Sequence, residues 1–176
     1  MTLIKQAGLA VAGGAAATAT MDALNALASK AGLVFEVNHV MIGNLMSGWL
    51  RGQFFYASPR EVTGPNSFAW GMAVHLAIGI AFAAVFLFCV NRGWLRSKAA
   101  MLAFGVGTSV FSLFYLFPCV GMGVMALHMP TAGFLIRSSL LNHLFFGLGL
   151  MAFGAWLNRR RVAAEGGSGT RLAGAR

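Results

Sequence analysis

The chain has 176 residues, of which 58% are hydrophobic and 10% charged, with 13 Lys and Arg against 4 Asp and Glu. A water-soluble domain carries about 25% charged residues to cover its surface, so a soluble enzyme is excluded, and a mean hydropathy of +0.73 places the chain in a membrane. Cys89 and Cys119 both lie in apolar runs and cannot build a disulfide framework. The basic residues are scattered between apolar runs and form no continuous face, which excludes nucleic acid as a partner.

A bilayer core about 30 Å thick takes roughly 20 apolar residues per helix, and four stretches meet that length. The first, about 5–29, is rich in Ala and Gly, with Asp22 and Asn25 near its end. Gly8, Ala12, Ala16 and Thr20 recur at spacings of four, which predicts close packing of this helix against neighbours along that stripe. A cleaved signal peptide is the competing reading, since Lys5 precedes the apolar run and Ala17-Thr18-Ala19 resembles a cleavage site. Between the first two spans, Val37, Val40, Met41, Leu45 and Trp49 alternate with Asn38, Asn44 and Ser47, which predicts a short interfacial helix over about 37–50. Pro59, Gly64 and Pro65 break the chain before the second span, 68–90, whose one ionisable interruption is His75. The third span, 99–125, carries Pro118 near its far end. The fourth, 136–157, contains Asn142 and His143 and closes on Arg159, Arg160 and Arg161. A Gly-rich segment, 162–176, is expected to be a flexible cytoplasmic tail. The expected fold is therefore all-α, a polytopic transmembrane four-helix bundle.

Orientation follows from the positive residues. With four spans, Lys5, Arg92, Arg96, Lys98, Arg159, Arg160, Arg161, Arg171 and Arg176 share one side, and Lys30, Arg51, Arg60 and Arg137 the other. The excess places both termini in the cytoplasm.

Depth is the most informative comparison. Asp22, His75 and His143 each lie seven residues from the outer end of their spans, roughly 10 Å deep at 1.5 Å per residue. Ionisable groups in hydrocarbon face the bundle interior, pair together or bind something. An interior polar cluster of Asp22, Asn25, His75, Asn142 and His143 is therefore expected, either as a knot gluing helices or as a ligand site. Metal or haem ligation would fall to His75 and His143, with Cys119 and Met122 as soft donors suited to copper. Methionine as apolar filler is the competing account of the sulfur-rich stretch around them. His39 reads as an ordinary exposed or half-buried imidazole. The hydroxyls of Gly105-Val-Gly-Thr-Ser-Val-Phe-Ser read as bonding their own backbone. His75-Leu76-x-x-Gly79 and His143-Leu144-x-x-Gly147 share a pattern in which a small residue one turn on admits a neighbour. Phosphate-binding loops, paired catalytic carboxylates, Cys-x-x-Cys and a nucleophile elbow are all missing from the sequence.

Several motifs together resemble a family of small bacterial four-helix inner-membrane proteins defined as a domain of unknown function. They are Thr20-Met21-Asp22, Ala69-Trp70-Gly71 leading to His75, and Ile78-Gly79-Ile80-Ala81-Phe82. Gly121-Met122-Gly123, Leu140-Leu141-Asn142-His143-Leu144 and Phe146-Gly147-Leu148-Gly149-Leu150 complete the set. The likeness runs from about 17 to 157, with proline placed differently at Pro118. It implies a bacterial inner-membrane location and four helices, and supplies no activity. Three functions remain open at this point: a non-enzymatic accessory or binding subunit that self-associates or joins a larger membrane complex, a small oligomeric transporter or channel, and a haem- or metal-binding redox protein.

Overall fold

The computed structural model describes residues 2–173, with side chains described to residue 160. The expected flexible tail, 162–176, lies outside the described side chains. All regular structure among the described residues is helical. Helix α1 (Leu3–Lys30) is followed by α2 (His39–Leu50), a short turn at Pro59–Glu61, and α3 (Phe68–Asn91). The third span is segmented into α4 (Lys98–Gly107), α5 (Ser109–Phe111), a wide π-helical turn (Ser112–Leu116) and α6 (Phe117–Cys119). Helix α7 runs Ala132–Ala173. Four of these stretches, Leu3–Lys30, Phe68–Asn91, Lys98–Cys119 and Ala132–Arg160, are long and apolar enough to cross a bilayer.

The helices begin and end where local chemistry supplies partners for the orphan backbone groups. Asn38, Ser67 and Ser97 cap α2, α3 and α4, their side chains accepting from the backbone N–H of Met41, Trp70 and Ala100. The third span ends at Cys119, six residues short of the expected 125. Gly121 is left-handed (φ 79°), and the backbone N–H of Met122 closes back on the Phe117 carbonyl. Pro118 has no N–H to return to the preceding turn, and the π-helical turn lies directly before it.

Helix α1 is the hub. It packs on α3 along one side and on α7 along the other, and α7 in turn packs on α4. The order around the bundle is thus an arc, α3–α1–α7–third span. Close packing is carried by Ala10, Gly13, Gly14, Ala17 and Thr18, all buried. The stripe expected from the sequence is displaced: Gly8, Ala12 and Ala16 are exposed, and nothing stands within 4 Å of a side chain built at Gly8. Small residues do pack this helix closely, but on another face, because small residues occupy nearly the whole helix surface.

The arc is closed at mid-height by Phe82 on Phe111 and toward the end that holds the termini by Phe86 on Phe104, with ring centroids 5.7 and 5.6 Å apart. The main core lies there, around Ala17, Phe86, Met101 and Leu150. At the loop end, a second core of Leu45, Tyr56, Val62, Cys119, Val120 and Ala126 ties α2 and the first long loop to the end of the third span. Val85, Val110 and Phe114 are each more than half exposed on the bundle's outer surface, a distribution that suits lipid contact.

Candidate functional site

Asp22 and His75 meet as the depth comparison anticipates: His75 Nε2 lies 3.1 Å from Asp22 Oδ1. A third group joins them. His39, the first residue of α2, brings its Nε2 to 3.7 Å from the same carboxylate oxygen, and its ring stands edge-on to His75 with centroids 5.0 Å apart. This close seating is built into the helix crossing. A side chain at Gly71 would strike the His39 carbonyl, and one at Gly43 would press on the Gly71 backbone. Only glycine at these positions lets α2 lie on the first turn of α3, one turn before His75. Burial, reinforced by the neighbouring His75, holds the His39 imidazole below its usual pKa against the opposing pull of Asp22.

Asn25 and Asn142 form a separate knot one turn along α1. Asn25, 2% exposed, donates through Nδ2 to Asn142 Oδ1 (2.7 Å) and to the Phe35 carbonyl (3.0 Å), and accepts from the Val37 N–H (3.1 Å). Ser138 Oγ accepts from the Phe35 N–H (3.0 Å). The extended link between α1 and α2 is thereby bonded to α1 and α7, and it delivers Asn38 and His39 to the Asp22–His75 pair.

His143 has other partners. Thr108 Oγ1 donates to the Gly105 carbonyl at 2.6 Å, so its oxygen accepts from His143 Nδ1 at 2.8 Å. Ser112 Oγ then donates to Nε2 at 2.8 Å, and this arrangement satisfies both ring nitrogens with the Nδ1–H tautomer. The hydroxyls read from the sequence as bonding their own backbone thus reach across to α7 as well. Ser112 opens the π-helical turn, a distortion frequent at functional sites. The contact depends on tight packing, since a side chain at Gly105 would overlap Gly147. Gly79 occupies the matching place on α3, against Thr18, so both His-Leu-x-x-Gly motifs set a histidine one turn before a close approach. His75 and His143 share no bond, but both border one small cavity of about 40 Å³ beside Thr18 and Phe146.

Between α3 and the segmented third span the loop-end half of the arc stays open, and α2 roofs it. The resulting cleft has a volume of about 520 Å³, within the roughly 300–1,000 Å³ range of small-molecule sites. Its walls are mainly apolar, with Met41, Leu45, Trp49, Ile78, Phe82 and Leu116 among them. The polar exceptions include Ser112, Ser138, Ser139, Asn142, His75 and His143. Ser139 Oγ is buried and has no hydrogen-bond partner among the described residues. No Lys or Arg lines the cleft among the described residues.

Of the expected soft donors, Met122 borders the cleft, whereas Cys119 is fully buried in the loop-end core. Among the described residues, the one group of three or more His, Cys, Asp and Glu whose donor atoms converge is Asp22, His39 and His75. His39, half-buried as expected, belongs to this group although the sequence does not single it out. Its signal in the sequence is Gly71, whose place in Ala69-Trp70-Gly71 marks a close approach but does not name the approaching segment.

No curated protein and no solved structure matches the chain. A family model described as "Protein of unknown function (DUF2938)" matches residues 11–157, and the chain belongs to that family.

Proposed function

We propose that the protein is a non-enzymatic binding protein of the bacterial inner membrane, with both termini cytoplasmic, that takes an uncharged single-chain amphiphile from the bilayer into the cleft. The observation that carries this reading is an apolar cleft of about 520 Å³ with convergent hydroxyl and imidazole groups at one level of its wall. The apolar part of the ligand lies against Ile78, Phe82 and Leu116, and its head hydrogen-bonds at Ser139 and at the oxygen of Ser112, whose proton His143 holds. Ser139 Oγ gains the partner that the protein does not give it. With Glu36 on the lining and no cationic side chain there, a carboxylate or phosphate head would go unpaired, so an alcohol or carbonyl head is favoured. The cleft is lined by both α3 and the third span, two membrane-length helices, and this supports lateral entry between them. The excess of Lys and Arg on the terminal side supports the orientation.

The test is a titration of purified protein in detergent with a fluorescent long-chain fatty alcohol, beside the corresponding fatty acid. Saturable, one-to-one binding of the alcohol is expected, weaker for the acid, and lowered at least tenfold by Ser139→Phe, which fills the cleft. No saturable binding by folded protein, or binding indifferent to Ser139→Phe, contradicts the reading.

A further inference from the structure

We infer that Asp22, His39 and His75 form a binding site for one divalent first-row transition-metal ion at the loop end of the bundle. The donor atoms are distinct from the cleft hydroxyls, and the site stands apart from the lipid reading.

The three donor atoms already lie where such an ion would draw them. Nitrogen and oxygen ligands bound tetrahedrally at about 2.0–2.1 Å stand about 3.3 Å from one another. Asp22 Oδ1 is 3.1 Å from His75 Nε2 and 3.7 Å from His39 Nε2, and all three atoms fall within 4.8 Å of one another. The donor set of two imidazoles and one carboxylate is the borderline combination that zinc and ferrous iron accept. Side-chain rotation would close the set around an ion.

His39 makes the case stronger. Its Nε2 is buried, aimed at the carboxylate, and has no hydrogen bond among the described residues. A polar atom left so is costly unless it has a partner, and the neighbouring Asp22 oxygen is already engaged by His75. An ion between the three would give every donor a partner at once. The scaffold that holds His39 is also specific: the Asn25 knot fixes residues 35–37, Asn38 caps the helix, and Gly71 lets the His39 backbone sit on α3. The rings of Phe68 and His75 flank the imidazole edge-on, with centroids at 5.3 and 5.0 Å. Asp22 remains 23% exposed, so three protein donors leave a coordination position that water or a second molecule can reach.

Full-length protein without a histidine tag is stripped with chelator and titrated with Zn²⁺ at neutral pH, with metal content counted after desalting. Parallel loading with Co²⁺ reads the donor geometry from its visible bands. The expected result is one ion per chain with the Co²⁺ spectrum of a nitrogen- and oxygen-ligated site. His39→Ala and Asp22→Asn each weaken binding by about 100-fold or more, since removing even a supporting partner of a ligand costs 10–100-fold. His143→Gln and Ser139→Phe leave it unchanged, which keeps a failure here distinguishable from a failure of the lipid reading. Should His39→Ala not fold, His39→Gln serves in its place. Folded wild-type protein that takes up no stoichiometric Zn²⁺ overturns the inference. Binding that survives both His39→Ala and Asp22→Asn, or that is lost on His143→Gln, overturns it too.

Discussion

Asn25 shows how one residue can organise a site without touching its chemistry. Its amide serves Phe35, Val37 and Asn142 together, so Asn25→Ala leaves three groups without their partner in a buried place. A loss of about 2–3 kcal/mol is expected, read as a lower melting temperature in detergent. The same variant should weaken Zn²⁺ binding, because the segment that carries His39 is released. Thr20→Ala is the control, since Thr20 Oγ1 donates only to the carbonyl of its own helix at Ala16, and a change within about 0.5 kcal/mol is expected. Equal effects of the two variants would contradict this account of the knot. At this scale the sequence was partly legible. Asp22 and His75 were paired by depth alone, since a carboxylate and an imidazole in hydrocarbon seek each other. His39 was not, because it stands at the start of a surface helix whose docking is decided by glycines on another element. His143 was placed at the right level, but its partners Thr108 and Ser112 were hidden by the irregular register of the third span.

The elements differ in how plainly their sequences declare them. Helix α3 was legible almost to the residue, because its apolar run ends at Ser67 and at the turn of Arg92 and Gly93. The third span was not, because Pro118 and Gly121 end it early and a π-helical turn shifts the faces before that. In α1 the existence of a close-packed stripe was legible and its direction was not: a helix made mostly of Ala and Gly offers several stripes of equal smallness. The observed stripe makes a sharp distinction. A side chain at Gly14 would meet the Ile80 backbone, while Gly8 has open space. Gly14→Leu should cost about 3 kcal/mol or more, whereas Gly8→Leu should leave stability unchanged or raise it by up to about 1 kcal/mol. Thermal denaturation of the two variants checks this, and a larger loss at Gly8 would reverse the assignment of faces. Gly71→Ala belongs to the same scale. It should separate α2 from α3 and lower Zn²⁺ affinity at least tenfold with the spans intact, as His39 withdraws.

In the whole molecule, four membrane-length helices form an arc that aromatic residues close at one end and leave parted at the other. Composition alone reveals the four spans, since lipid demands long apolar helices with their backbone bonds satisfied internally. The parting could not be read from the sequence, because it depends on which helices are neighbours and the order around a bundle is not written in any one span. The cleft and the Asp22–His39–His75 group both follow from that order, with α1 between α3 and α7 and α2 laid over the gap. The proposed orientation puts this end outside the cytoplasm, and a reporter fused after Arg161 should be active only in the cytoplasm.

The proposed lipid site is tested most directly by labelling in the membrane itself. A fatty alcohol carrying a photoactivatable group on its chain is added to membranes holding the protein, cross-linked by light, and mapped by peptide mass spectrometry. The account predicts saturable labels on α2 around 41–45 and on the third span around 111–116, competed by unlabelled alcohol and lost in Ser139→Phe. Labels confined to outer-surface positions such as Val85 and Val110, with no competition, would contradict it.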